Sequence, residues 1–190
     1  MKKRMTIRSW GKLIAALLVI AALGYAGSRY LQLQESNEKA EAVLEKMQMV
    51  IPNLGVETGE STGNGKDPLT VITLNEVDIV GCLEIPALDI MVPVTAQKQE
   101  QEGFVTWVSG SPVKGHFRLV GGRSDVFRTL TKANPGDAVI FTDVDGIRYH
   151  YQVTTQFHLK NWDESDQSLM LCYETDEQTQ FVLGCAEVSG

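Results

Sequence analysis

Cysteine and histidine are scarce in this chain, three of each in 190 residues, and they are not grouped. No His and Cys cluster has zinc-site spacing, no phosphate-binding glycine loop is present, and no cofactor or metal is expected. The first cysteine is Cys82, so the N-terminal apolar run has no lipid-modifiable cysteine behind it. An odd number of cysteines closes at most one disulfide within the chain. Cys82 and Cys185 fall on the first and last predicted strands, and buried free thiols are the simpler expectation for the set. Acidic residues are absent before Glu35, whereas Lys2, Lys3, Arg4, Arg8 and Lys12 crowd the start. Beyond Ser28 the balance reverses, with 12 basic against 24 acidic residues, a formal −12. Nucleic acid demands clustered Lys and Arg facing phosphates, so that partner class is excluded.

Long apolar runs are missing too, except one. Leu13 to Gly27 carries no charge and is flanked by Trp10 and Lys12 before it and Arg29 and Tyr30 after it. About 20 residues are needed for a bilayer core, but snorkelling Lys and Arg with interfacial aromatics extend a short run. The basic residues ahead of it predict a cytoplasmic basic N-terminus over 1–12, a single-pass anchor over 13–28, and an extracellular remainder at the cell membrane. A cleaved signal peptide is the competing reading, because Gly24 and Ala26 are small residues at cleavage spacing. Leu31, Ala40, Val43, Leu44, Met47 and Val50 recur at helical spacing, which predicts a helical stalk over 29–51 that self-associates or packs on its own domain. Pro52 ends it. The stretch 52–67, rich in Gly, Thr, Ser and acidic residues, reads as a flexible linker.

From 68 to 190 the apolar pattern becomes strand-like. Strands are expected at Val80 to Ile85, Ile90 to Val94, Phe117 to Val120, Ala138 to Thr142, Tyr149 to Thr155, Ser168 to Cys172 and Phe181 to Val188, with a short helix near Asp125 to Lys132. Asn134 to Asp137 and Asp143 to Gly146 are turns, the second closing a hairpin. The fold class is mainly β, a closed or nearly closed barrel with short helices. Asp143, Asp145 and Glu164 carry the oxygen ligands calcium takes, but a turn and a solvated loop account for them more simply.

Several segments share an order with a known family. These are VGCLEIP from Val80 then IMVPV from Ile90; Gly110, Ser111 and Pro112 ahead of FRLVGG from Phe117, then FRTL from Phe127; PGDAVIFT from Pro135 then YHYQV from Tyr149; and LMLC from Leu169 then QFVL from Gln180. Together they resemble a sortase domain, nearest to the class B-like sortases. The resemblance implies an extracytoplasmic cysteine transpeptidase fold that takes a sorting signal on a secreted protein and passes the acyl group to an amine.

In that family a cysteine attacks the scissile carbonyl, a histidine handles protons and an arginine stabilises the oxyanion. Carried onto this chain, the resemblance puts the histidine position at Gly122, which has no side chain to titrate, and the arginine position at Gln180, which has no charge. For the nucleophile, strand alternation disfavours Tyr173 and leaves Cys172 or Glu174. Cys172 is favoured, since it sets Ser168 and Leu169 at the family's threonine and leucine. If Glu174 holds the slot, the nucleophile is absent as well. His116 lies six residues before Gly122, about 20 Å along an extended strand, and His150 and His158 fall where the family places no catalytic group.

Two function classes follow from the resemblance. One is a non-catalytic sortase-like protein on the membrane that binds a sorting-signal peptide of a secreted protein, a pilin or a partner sortase. The other is an active transpeptidase that uses Cys172 to anchor or polymerise surface proteins.

Overall fold

The computed structural model describes residues 7–52, 54, 65–96, 103–122, 125–159, 167–174 and 180–188. Most of the expected linker, and Glu164, lie outside them. The chain forms two compact units, residues 1–35 and residues 36–190. In the first, α1 (Ile7–Val50) has begun, and Leu17, Leu18, Val19, Ile20 and Leu23 along it are largely exposed. Among the described residues no helix is long and apolar enough to cross a membrane, so the structure gives no support to the expected transmembrane anchor.

In the second unit the end of α1 is part of the packed domain. Ala40, Val43 and Met47 are buried, with Ile51, in a cluster that includes Val77, Ile79, Cys82, Phe104 and Val144. Of the two fates open to the apolar stripe, packing on its own domain is the one seen for these positions. Leu31 and Val50, at other points of the stripe, are exposed.

Nine strands make one sheet: β1 (Ile72–Leu74), β2 (Val77–Ile85), β3 (Ile90–Thr95), β4 (Val105–Ser111), β5 (Gly115–Gly121), β6 (Ala138–Asp143), β7 (Arg148–Leu159), β8 (Leu169–Glu174) and β9 (Gln180–Glu187). Their order is β1-β2-β3-β4-β5-β8-β9-β7-β6, and β2 also pairs with β6. That pairing closes β2 to β9 into an eight-stranded barrel, which satisfies the backbone groups an open edge would leave unpaired. The interior takes one side chain in two from each strand, including Leu83, Phe117, Leu119, Phe141, Val153, Leu169, Leu171 and Leu183. Phe117 meets Phe141 edge-on, with ring centroids 4.8 Å apart.

The expected helix divides into α2 (Asp125–Arg128) and a 3-10 turn over Thr129–Lys132. Phe127 and Leu130 join the barrel core. β2 and β9 are not neighbours, Cys82 and Cys185 belong to different clusters, and all three cysteines are free.

Residues 65–70 are tied down at the barrel end that holds the β6–β7 turn. Lys66 reaches the Asp145 carboxylate at 3.0 Å, Thr70 Oγ1 donates to it at 2.9 Å, and Asp67 pairs with Lys114. The backbone N–H groups of Asp145 and Ile147 donate to Asp143 Oδ1 at 3.0 and 2.9 Å, so a turn and an ion pair account for both aspartates.

Candidate functional site

The site residues the sequence singles out converge on three adjacent strands. β5 runs parallel to β8 with Phe117 opposite Leu169, Leu119 opposite Leu171 and Gly121 opposite Tyr173. Apart from Gly121, whose missing side chain makes room for Phe127, each of these points into the barrel core. The alternate residues therefore turn to the outer face, where Arg118 pairs with Met170 and Val120 with Cys172. On the other side of β8, Cys172 is opposite Val182 and Glu174 is opposite Gln180. Tyr173, as alternation requires, is a core residue.

Two rows follow on that outer face. The inner one is Val120, Cys172 and Val182; the rim pairs Glu174 with Gln180, and Gly122 follows Gly121, the last paired residue of β5. Neighbouring strands are about 4.8 Å apart and same-face residues on one strand about 6.6 Å apart. Gln180 thus stands directly opposite Glu174, Gly122 follows the last paired residue of β5, and Cys172 lies one row further in than Glu174. Gly121 fixes the end of β5, because a Cβ there would lie 2.6 Å from the Phe127 ring.

Cys172 is 1% exposed and packs with Met170 and Val182, against which Val120 and Phe157 lie. Burial pushes its thiol up to about 12, and the charge of Arg118 acts in the opposite direction. A thiol so placed is almost wholly protonated at neutral pH, with roughly 10⁻⁵ as thiolate. Gln180 and Gly122 are half-buried.

None of the three histidines shares this row. His116 is exposed, with φ 51°, at the start of β5, the end away from Gly122. His150 is half-buried near the start of β7. His158 comes nearest along the sheet, since β7 pairs Leu159 with Gln180, but its own partner is Phe181, which it meets edge-on at 5.5 Å on the other face. Among the described residues no group of three His, Cys, Asp or Glu side chains is placed to hold a metal ion.

Arg118 is the residue that motif matching passes over. The alternation of Arg118, Val120 and Gly122 in HFRLVGG is the signal that places it on the site face.

The family model described as the sortase domain matches residues 83–187, more than half of the chain. Solved structures agree in fold. Sortase C1 of Streptococcus agalactiae superposes with a TM-score of 0.53 at 20% identity, over 62% of this chain and 72% of that one. Sortase A of Corynebacterium diphtheriae gives 0.53 at 15% identity, over 90% and 96%. The Clostridium perfringens sortase D5 transpeptidase gives 0.55 at 14%, over 82% and 99%. At these identities the likeness shows the fold and not the class. No curated protein matches the chain in sequence. The family match, the closed barrel and the order of its strands lead to one conclusion: this chain belongs to the sortase family.

Proposed function

We propose that the protein is a membrane-anchored, extracytoplasmic sortase-family protein that binds a sorting-signal peptide, as part of a secreted protein such as a pilin or in concert with a partner sortase, without performing transpeptidation. The observation that supports this reading is the end of the β5, β8 and β9 face, where Gly122 follows the last paired residue of β5 and Gln180 stands opposite Glu174. A positioned general base is worth about 10²- to 10⁴-fold in rate, and one oxyanion donor about 10²- to 10³-fold. Gly122 provides neither, and Gln180 lacks the charge and fork of arginine. Cys172, protonated and enclosed by apolar side chains, is a poor nucleophile in the ground state. Anchoring is supported by the basic residues ahead of residue 13 and the uncharged run Leu13 to Gly27 that follows them.

One observation favours the alternative of an active transpeptidase: Cys172 shares a face with Arg118, whose charge promotes ionisation of the thiol. A sorting peptide ending in a slow thiol-reactive carbonyl separates the two, with mass spectrometry of the full-length protein, Cys172→Ala and the double variant Gly122→His with Gln180→Arg. The binding reading expects peptide retention without a Cys172 adduct in the wild type; rapid adduct formation there refutes it. Protease added to intact protoplasts is expected to remove the domain after residue 68, and protection of that domain refutes the orientation.

A further inference from the structure

Where the end of α1 lies on the barrel, a half-open cleft of about 200 Å³ separates the helix from the start of β3, and it shares no residue with the outer face of β5, β8 and β9. Ala40 and Leu44 line the helix side, and Ile90, Val92 and Pro93 line the strand side, so the walls are apolar. The charged residues that line it are both acidic, Glu41 on α1 and Asp89 just before β3. Both are exposed, and among the described residues neither carboxylate has a hydrogen bond or ion pair. The nearby cations of α1 do not neutralise them. Lys46 reaches Asn75 in the β1–β2 turn, and Lys39 is two residues from Glu41, a spacing at which helical side chains do not face each other.

The walls are held from within the domain. Ala40 is buried with Val43 and Met47, Leu44 and Met91 pack against that cluster, and Gln48 Nε2 donates to Met91 Sδ at 3.8 Å. Asp89 is set by its backbone, with φ 54° and its N–H bonded to Pro86 O at 3.1 Å, a left-handed conformation that aspartate tolerates. The cleft is thus formed before any ligand arrives, which lowers the ordering cost of binding.

We infer that this cleft takes one lysine or arginine side chain of a partner polypeptide, its stem along Ala40, Leu44, Val92 and Pro93 and its cation at the carboxylates of Glu41 and Asp89. The inference is independent of any reading of the outer face. The volume is below the roughly 300–1,000 Å³ of small-molecule pockets and suits one side chain. Lysine and arginine lay an aliphatic stem on apolar surface while the charged head stays in water, which is the order of apolar wall and acidic mouth seen here. A purely apolar side chain would shield two carboxylates from water without a partner for either. An inorganic divalent ion would take six or more oxygen ligands, and among the described residues no group of three His, Cys, Asp or Glu side chains is placed to supply them.

The test uses the full-length protein in uncharged detergent, carrying ¹³C-methyl methionine, with the Met91 signal assigned by Met91→Leu. The probes are capped glycine-serine peptides with one central lysine, arginine, norleucine or glutamate. Lysine and arginine peptides are expected to shift the Met91 methyl saturably in the millimolar range and more weakly as salt is added. The norleucine peptide, which has the stem without the charge, is expected to bind several-fold more weakly, and the glutamate peptide not at all. Glu41→Gln and Asp89→Asn, each checked for a native thermal transition, are each expected to lower affinity for the lysine peptide up to about fivefold, as for an exposed ion pair. The double variant is expected to treat lysine and norleucine peptides alike. An unshifted Met91 with the lysine peptide overturns the inference, as does equal binding of lysine and norleucine peptides by the wild type. A shift produced by calcium chloride and not by the lysine peptide overturns it in favour of an inorganic ion.

Discussion

The two faces of β5, β8 and β9 are built to different ends. The inner face is filled by large apolar residues, Phe117, Leu119, Leu169, Leu171, Tyr173, Phe181 and Leu183. The outer face, made by the alternate residues of the same strands, carries glycine, glutamine and an enclosed thiol where the family resemblance calls for reacting groups. Because side chains alternate, each face can change without disturbing the other. A barrel that keeps its inner face keeps the fold, whatever becomes of the chemistry outside.

The comparison is broken most severely from inside. Phe117→Ala empties the contact with Phe141 and is expected to cost about 3–5 kcal/mol, read as a lower urea midpoint; a loss below about 1 kcal/mol would mean that the inner face is not the main support. Gly121→Ala sets a Cβ against the Phe127 ring and is expected to cost about 1–3 kcal/mol, with Phe127→Leu in the same chain relieving part of it. On the outer face Cys172→Ala removes only one sulfur from an apolar wall. It is expected to cost about 1 kcal/mol and to leave peptide affinity within about twofold of wild type.

The smallest effect belongs to the far end of the barrel, and it depends on pH. Lys66 and Thr70 beside Asp145, and Lys114 beside Asp67, hold these carboxyls below their usual 3.8. The stability they contribute is present above that value and is lost as pH falls through their lowered folded values. Burial holds Asp143 above 3.8, partly offset by the N–H of Ile147. Ionising it therefore costs stability as pH rises from 3.8 through its raised folded value. Unfolding midpoints between about pH 2 and 6 should show Asp145→Asn flattening the acid loss and Asp143→Asn removing the opposing trend. Equal slopes in all three proteins would contradict both assignments.

Much of this was legible in the sequence. Runs such as Leu169 to Cys172 and Phe181 to Cys185 are short unbroken apolar stretches, which announce strands buried on both faces, and the observed β8 and β9 cover them. β4 was missed because Gly110 and two bulges, at Trp107/Ser109 and Ser109/Ser111, break its period. β1 has three residues, too few for a period. The stripe on α1 was legible, but its partner was not, since periodicity names a buried face and not what buries it. At the site, Gly122 and Gln180 were found by resemblance, and strand register sets Glu174 rather than Cys172 opposite Gln180. Arg118 was hidden because only the pairing of β5 with β8, remote in sequence, brings it beside Cys172.

The central claim is that the outer face binds without reacting. Its most direct test incubates the full-length protein with a sorting-signal peptide and an amine acceptor, and counts cleaved and transferred products against Cys172→Ala. The account predicts bound peptide and product levels equal in the two proteins; cleavage and amine transfer that depend on Cys172 would contradict it.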